Sequence, residues 1–118
     1  MGVTDSFRTF VLEQLDGVVP SVRWRRMFGG VGIYSEDLFF ALIDDDVVYF
    51  KTDAETQKDF EARGMGPFRP TGPDGETMKY YQIPEDVLEN PELLGAWAGK
   101  AIAVARGAKV KRSRRRGT

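Results

Sequence analysis

Two runs rich in aromatic and β-branched residues, 38–43 and 47–52, flank the acidic triplet Asp44-Asp45-Asp46. Strand-forming runs of this length around a turn-forming triplet predict a β-hairpin, which commits the middle of the chain to antiparallel sheet. In Leu38-Phe39-Phe40-Ala41-Leu42-Ile43 both alternating faces are apolar. A sheet with one wet face would instead alternate apolar and polar residues. Something must therefore cover the second face. Helices on both sides would do it, and so would a second copy of the chain, giving a homodimer through the sheet.

The flanking sequence builds an α+β domain around this hairpin. Phe7, Phe10, Val11 and Leu15 recur at helical spacing over residues 5–15, with Thr4 as N-cap and Gly17 suited to a left-handed C-terminal residue. Residues 22–28 read as a strand with Val22, Trp24 and Arg26 on one face and Arg23 and Arg25 on the other. Gly29-Gly30-Val31-Gly32 reads as a turn or bulge before extended residues 33–35. Thr52-Asp53-Ala54-Glu55 has capping-box spacing and predicts a helix over 53–63. Glycines and prolines make 64–75 an irregular loop, 78–83 a further strand ended by Pro84, and 85–88 a short helical turn. Asn90-Pro91 opens a last helix with Leu94, Trp97, Ala98, Ala101, Ile102 and Ala105 as its apolar stripe, expected to end at Gly107. The reading is a two-layer sandwich of about five antiparallel strands and about three helices, in the order α-β-β-β-β-α-β-α. The domain is expected over 1–107, followed by a basic, disordered tail over 108–118.

The chain has neither cysteine nor histidine. Disulfides, thiolate metal sites, cysteine nucleophiles and imidazole bases are therefore excluded. Gly30-Val31-Gly32 lacks the third glycine and the following helix of a dinucleotide fingerprint, and no Lys-Ser/Thr pair follows as in a P-loop. Asp44, Asp45 and Asp46 lack the glycine and glutamate of a calcium loop and read as solvated turn residues. The Glu13/Asp16 pair falls at a helix end, and no Ser-x-x-Lys is present. No catalytic, cofactor-binding or metal-ligating residue is expected, and the chain is read as a non-enzymatic regulatory or interaction module; a small nucleic-acid binder is the alternative and an enzyme acting on a phosphorylated or acidic metabolite the third reading.

Charge is the stronger signal. A net charge of −1 conceals an acidic body and a basic end: Lys109, Lys111, Arg112, Arg114, Arg115 and Arg116. Such a segment neutralises phosphates and releases their counterions, so it is a candidate nucleic-acid contact; the alternatives are a solubilising tail and a tail that folds back onto the acidic body. Arg23 and Arg25, with Phe68 and Arg69 exposed on the glycine- and proline-rich loop, are the candidate protein-partner surface. The N-terminus lacks the basic and apolar regions of a signal peptide, and no apolar run approaches membrane-spanning length, so a cytoplasmic location is expected.

The stretch Arg25-Arg26-Met27-Phe28-Gly29-Gly30-Val31-Gly32-Ile33-Tyr34 resembles the TfoX N-terminal domain family. The resemblance continues through Asp37-Leu38-Phe39-Phe40-Ala41-Leu42, Val48-Tyr49-Phe50-Lys51-Thr52-Asp53, Pro67-Phe68, Met78-Lys79-Tyr80-Tyr81-Gln82-Ile83-Pro84 and the helix carrying Trp97. It implies a two-layer α+β fold, no catalytic residues, and a link to regulators of natural competence genes acting in transcription. The full regulator carries a separate C-terminal helical domain, so this chain is expected to be a single-domain member. The motif Arg26, Met27, Phe28, Gly29, Gly30 is read as structural, with Met27 and Phe28 packing into the core.

Overall fold

The computed structural model describes residues 2–27, 29–70 and 79–116, the last five of these by their backbone alone. The elements are α1 (Asp5–Asp16), β1 (Val22–Met27), β2 (Gly30–Ser35), β3 (Leu38–Asp44), β4 (Val47–Lys51), α2 (Gln57–Ala62), β5 (Tyr80–Gln82), α3 (Glu85–Glu89) and α4 (Pro91–Arg116). The five strands form one antiparallel sheet in the order β1-β2-β3-β4-β5. The expected α+β architecture stands, with one helix more than the count expected.

The core lies between one sheet face and the helices. Val31, Ile33, Ile43, Val48 and Phe50 on the sheet meet Val11 and Leu15 of α1 and Leu94, Ala98, Ala101 and Ile102 of α4, all buried. Burying each of the valine, leucine, isoleucine and phenylalanine side chains contributes about 1.5–3 kcal/mol, and this layer outweighs any single surface contact. The small residues of α4 let that helix approach β3 and β4 closely.

The helix starts follow the sequence. Thr4 caps α1, its hydroxyl accepting from the Phe7 N–H at 3.3 Å. The Asn90 carboxamide oxygen accepts from the Glu92 and Leu93 N–H groups at 3.0 and 3.2 Å and opens α4. The β3–β4 connection is a two-residue turn whose Asp45 and Asp46 both have positive φ, 49° and 58°. A type I′ hairpin turn demands that geometry, and aspartate tolerates it better than most side chains. Asp46 is not merely solvated: its carboxylate accepts from the Thr4 N–H at 2.8 Å and the Thr4 hydroxyl at 2.9 Å.

Five local expectations are corrected. Gly17 takes φ −79°, not a left-handed conformation; the Val18 and Val19 N–H groups close the helix end on the Leu15 carbonyl instead. Gly30 and Gly32 belong to β2, because the turn after β1 is tight enough for pairing to resume at Gly30, opposite Met27. The register irregularity lies later, where Phe40 is left over between the Ile33–Ala41 and Tyr34–Phe39 pairs. The reciprocal cap before α2 is made by Asp53 and Thr56: Asp53 Oδ1 accepts from the Thr56 N–H at 2.8 Å and Thr56 Oγ1 from the Asp53 N–H at 3.0 Å. That leaves Thr52 buried, its hydroxyl without a hydrogen bond, and shortens α2 to Gln57–Ala62. Finally, α4 does not stop at Gly107. It runs on to Arg116, because a mid-helix glycine costs only about 1 kcal/mol and the following Ala, Lys and Arg residues favour helix.

The second sheet face is covered in part by the chain itself. Tyr34 stacks on Phe39 with ring centroids 5.1 Å apart, and Phe39 meets Tyr80 at 5.6 Å. Residues 66–68 run beside β5, the Phe68 N–H donating to the Tyr80 carbonyl at 2.7 Å, which places Phe68 against Tyr49. Leu42 and Tyr80 are thereby buried. The apolar outer positions of β3 do not by themselves require a second subunit.

Candidate functional site

The basic end of α4 grows directly out of the core. Its buried positions Leu94, Ala98, Ala101, Ile102 and Ala105 follow helical spacing, and burial ends at Ala105. From Arg106 to Arg116 the helix continues for about 16 Å at ~1.5 Å per residue. Val110 on this stretch is 43% exposed, so the helix there no longer packs as a core element. Lys109 Nζ bonds the carboxylate of Asp37, in the turn between β2 and β3, and anchors the helix at the sheet's end. The Lys109 bond and charge hold the Asp37 carboxyl below its ordinary value, with Arg23 adding to the effect.

Structure thus brings Lys109 and Arg23 to the same end of the molecule, with Asp37 between them. Lys111 is exposed one residue pair further along α4. The backbone of Arg112, Arg114, Arg115 and Arg116 is helical, so these charges are carried on a continuation of the core helix and not on an unstructured tail. Cations in a final helical turn are favoured by the partial negative charge of its carbonyls.

The four candidate partner-surface residues do not form one patch. Arg23 and Arg25 lie on β1, whereas Phe68 and Arg69 lie beside β5 at the opposite edge of the sheet. Arg23, Arg25 and Arg69 are exposed. Phe68, expected to be exposed, is half-buried against Tyr49 at a centroid distance of 4.9 Å. It borders a shallow apolar hollow of about 260 Å³ with Met27, Phe39 and Leu42.

The glycine-containing motif is explained by close approach. Met27 is not in the core under the helices. It lies half-buried on the outer sheet face, filling the space above Gly32, where a Cβ would come within 3.0 Å of its Sδ and 3.2 Å of the Phe39 ring. A Cβ at Gly30 would stand 2.5 Å from the Ile43 carbonyl oxygen. Gly29 takes φ +79° in the turn. Arg26 approaches Asp5 at 3.7 Å on the α1 side. Phe28 lies outside the described residues, as does the 71–75 part of the expected loop.

Two features escaped sequence reasoning. Trp24 is 41% exposed and lies under the Arg8 guanidinium, 4.5 Å from its ring centroid, an encounter between residues sixteen apart that no local pattern announces. The other is the position of β1 at an uncovered edge. Its signal was available in Arg23-Trp24-Arg25-Arg26, where charge falls on both strand faces. Among the described residues no group of three or more carboxylates is arranged to hold a metal ion, and no helix is long and apolar enough to cross a membrane.

The DNA transformation protein TfoX1 of Aliivibrio fischeri (strain ATCC 700601 / ES114) is 32% identical to the chain over 71 residues. The matched stretch takes in 59% of this chain and 34% of that relative, so the chain spans about a third of the relative's length. The sequence profile of the TfoX N-terminal domain matches residues 13–105, from within α1 to the last buried residue of α4. The chain therefore belongs to the TfoX N-terminal domain family.

Proposed function

We propose that the chain is a non-enzymatic regulatory domain, linked to control of DNA transformation and its transcription, that contacts nucleic acid through the basic end of α4. The carrying observation is the unbroken course of α4 from the core to Arg116. A helical segment carrying Lys111, Arg112, Arg114, Arg115 and Arg116, with Lys109 shared with Asp37, loses less conformational entropy on meeting phosphates than a flexible tail does. Its contacts are to the phosphate backbone, so binding is sequence-tolerant and salt-sensitive. The acidic groups of the body disfavour contact with a polyanion away from its basic residues. The family relationship supports the regulatory part of the reading, and the name of the Aliivibrio relative supports its connection with transformation.

The test is fluorescence anisotropy of a labelled DNA duplex over a salt series. The full chain is compared with a variant carrying Arg112→Gln, Arg114→Gln, Arg115→Gln and Arg116→Gln, which keeps good helix formers. The parent is expected to bind with log K falling by about 0.9 per phosphate neutralised against log salt, and the variant to lose both affinity and slope. Equal binding and equal slope for the two proteins refutes the assignment to α4.

A further inference from the structure

β1 is the strand in the sheet without a single buried residue; Arg23, Trp24, Arg25 and Arg26 are exposed in succession. It is also an edge strand. The opposite edge is occupied, since residues 66–68 bond to β5 through the Phe68 N–H and the Gly66 carbonyl. Among the described residues nothing bonds to the outward backbone of β1. Such an edge offers a row of N–H and C=O groups to any extended chain laid alongside it.

The side chains decide which chain fits. Arg23 and Arg25 project from the outer face, and Trp24 from the face toward α1. Asp5 already holds Arg8 at 2.9 Å and approaches Arg26 at 3.7 Å. Arg23 has Asp37 nearby, and Arg25 has no ion pair among the described residues. On the α1 side, beside Trp24, lies a cleft of about 390 Å³ with Leu12 and Val22 in its wall, Arg8 lying over the Trp24 ring, and Glu13 and Asp16 on its α1 rim. One face of the edge therefore attracts carboxylates, while the other offers apolar contact beside Trp24, its arginines Arg8 and Arg26 being met by Asp5 and its rim carrying Glu13 and Asp16.

We infer that β1 is a docking edge for an extended segment of a partner protein in which acidic and apolar residues alternate. The acidic residues lie opposite Arg23 and Arg25, and the apolar residue between them enters the cleft beside Trp24. Backbone bonds to β1 supply affinity and the alternation supplies selectivity. A second copy of the chain does not fit this edge, because pairing β1 with itself sets arginine opposite arginine. Nucleic acid fits it less well, since bases do not use the backbone row and Glu13 and Asp16 repel phosphates.

The probe is a dye-labelled, end-blocked pentapeptide of alternating aspartate and leucine, titrated with the full chain at low salt and read by anisotropy. Comparators are the same peptide with lysine for aspartate, and the aspartate peptide N-methylated at the amides that face the edge. The aspartate peptide is expected to bind, at least tenfold more tightly than either comparator. Trp24→Ala is expected to weaken it tenfold. The double variant Arg23→Glu/Arg25→Glu is expected to lose the aspartate peptide and gain the lysine peptide, a swap that an unfolded protein cannot show. The Arg112→Gln/Arg114→Gln/Arg115→Gln/Arg116→Gln variant is expected to bind the aspartate peptide unchanged, which separates this edge from the nucleic-acid proposal. No binding at millimolar peptide overturns the inference, as does equal binding of the N-methylated peptide. So does an oligothymidine that displaces the peptide and is itself lost in the Arg23→Glu/Arg25→Glu variant, or a dimer in sedimentation that Trp24→Ala abolishes.

Discussion

Gly30 and Gly32 sit two residues apart on the same strand, yet an added methyl group should have different consequences at each. At Gly30 the new Cβ would stand 2.5 Å from the Ile43 carbonyl oxygen, part of the β2–β3 ladder. Contacts under about 3.0 Å are not tolerated, so the two strands must part by about 0.5 Å or more along paired backbone. Overpacking of this kind costs about 1–3 kcal/mol, against which the stiffer unfolded chain returns about 0.4–1 kcal/mol. The expected net loss for Gly30→Ala is about 2 kcal/mol, or roughly 8 °C in melting temperature for a domain of this size. At Gly32 the obstruction is the flexible end of Met27, which can swing outward, and Gly32→Ala should cost about 1 kcal/mol or less. Urea unfolding of both single variants, each also combined with Met27→Ala, measures the coupling directly. Met27→Ala should cancel the cost of Gly32→Ala and leave that of Gly30→Ala standing. A Gly30→Ala protein as stable as the parent, or one restored by Met27→Ala, refutes the reasoning.

Gly107→Ala should stabilise the protein by about 0.5–1 kcal/mol and raise its far-UV helical signal, because Gly107 lies inside α4 with open space around it; a destabilised variant would mean that α4 ends there. Thr52→Val removes a buried hydroxyl that has no hydrogen bond and keeps the side-chain shape, so a gain of about 1 kcal/mol is expected in thermal or urea unfolding. Asp53→Ala should cost about 1 kcal/mol at neutral pH through loss of the cap. The Asp53 carboxyl is held below its ordinary 3.8, chiefly by the Thr56 N–H bond, so this stabilisation is complete above pH 3.8 and lost as pH falls through the lower folded value. Melts of Asp53→Ala and parent protein should therefore converge in acid.

The parts of the fold legible in the sequence were those set by neighbours along the chain. The hairpin around Asp45-Asp46, the alternation of Arg23 and Arg25 against Trp24, and the Asn90 start of α4 all rest on spacings of a few residues. The misread parts depend on what stands across the sheet. Gly30 and Gly32 looked like a turn because glycine usually signals conformational freedom, while here it answers the Ile43 carbonyl and the Met27 side chain. Met27 looked like core because it is apolar, but strand parity places it on the outer face with Arg23 and Arg25. Gly107 looked like a stop because nothing local showed how strongly the following Ala, Lys and Arg residues sustain the helix. For the candidate surfaces, sequence identified the charges; only topology showed that β1 is the open edge and that residues 66–68 close the other.

The bond between Asp46 and Thr4 has a bearing on the order of folding. A two-residue hairpin closes its loop within microseconds, because few residues must be ordered before the first contacts form. Thr4 and Asp46 are forty-two residues apart, so their contact carries a far larger closure cost. The carboxylate that steadies the first turn of α1 comes into position only once the β3–β4 turn exists. The hairpin is accordingly expected to belong to the folding nucleus, with α1 acquiring its final cap as it docks late onto a sheet already formed. Asp46→Asn, which weakens the bond to Thr4 and keeps a residue that tolerates positive φ in the turn, should then accelerate unfolding while leaving the refolding rate almost unchanged.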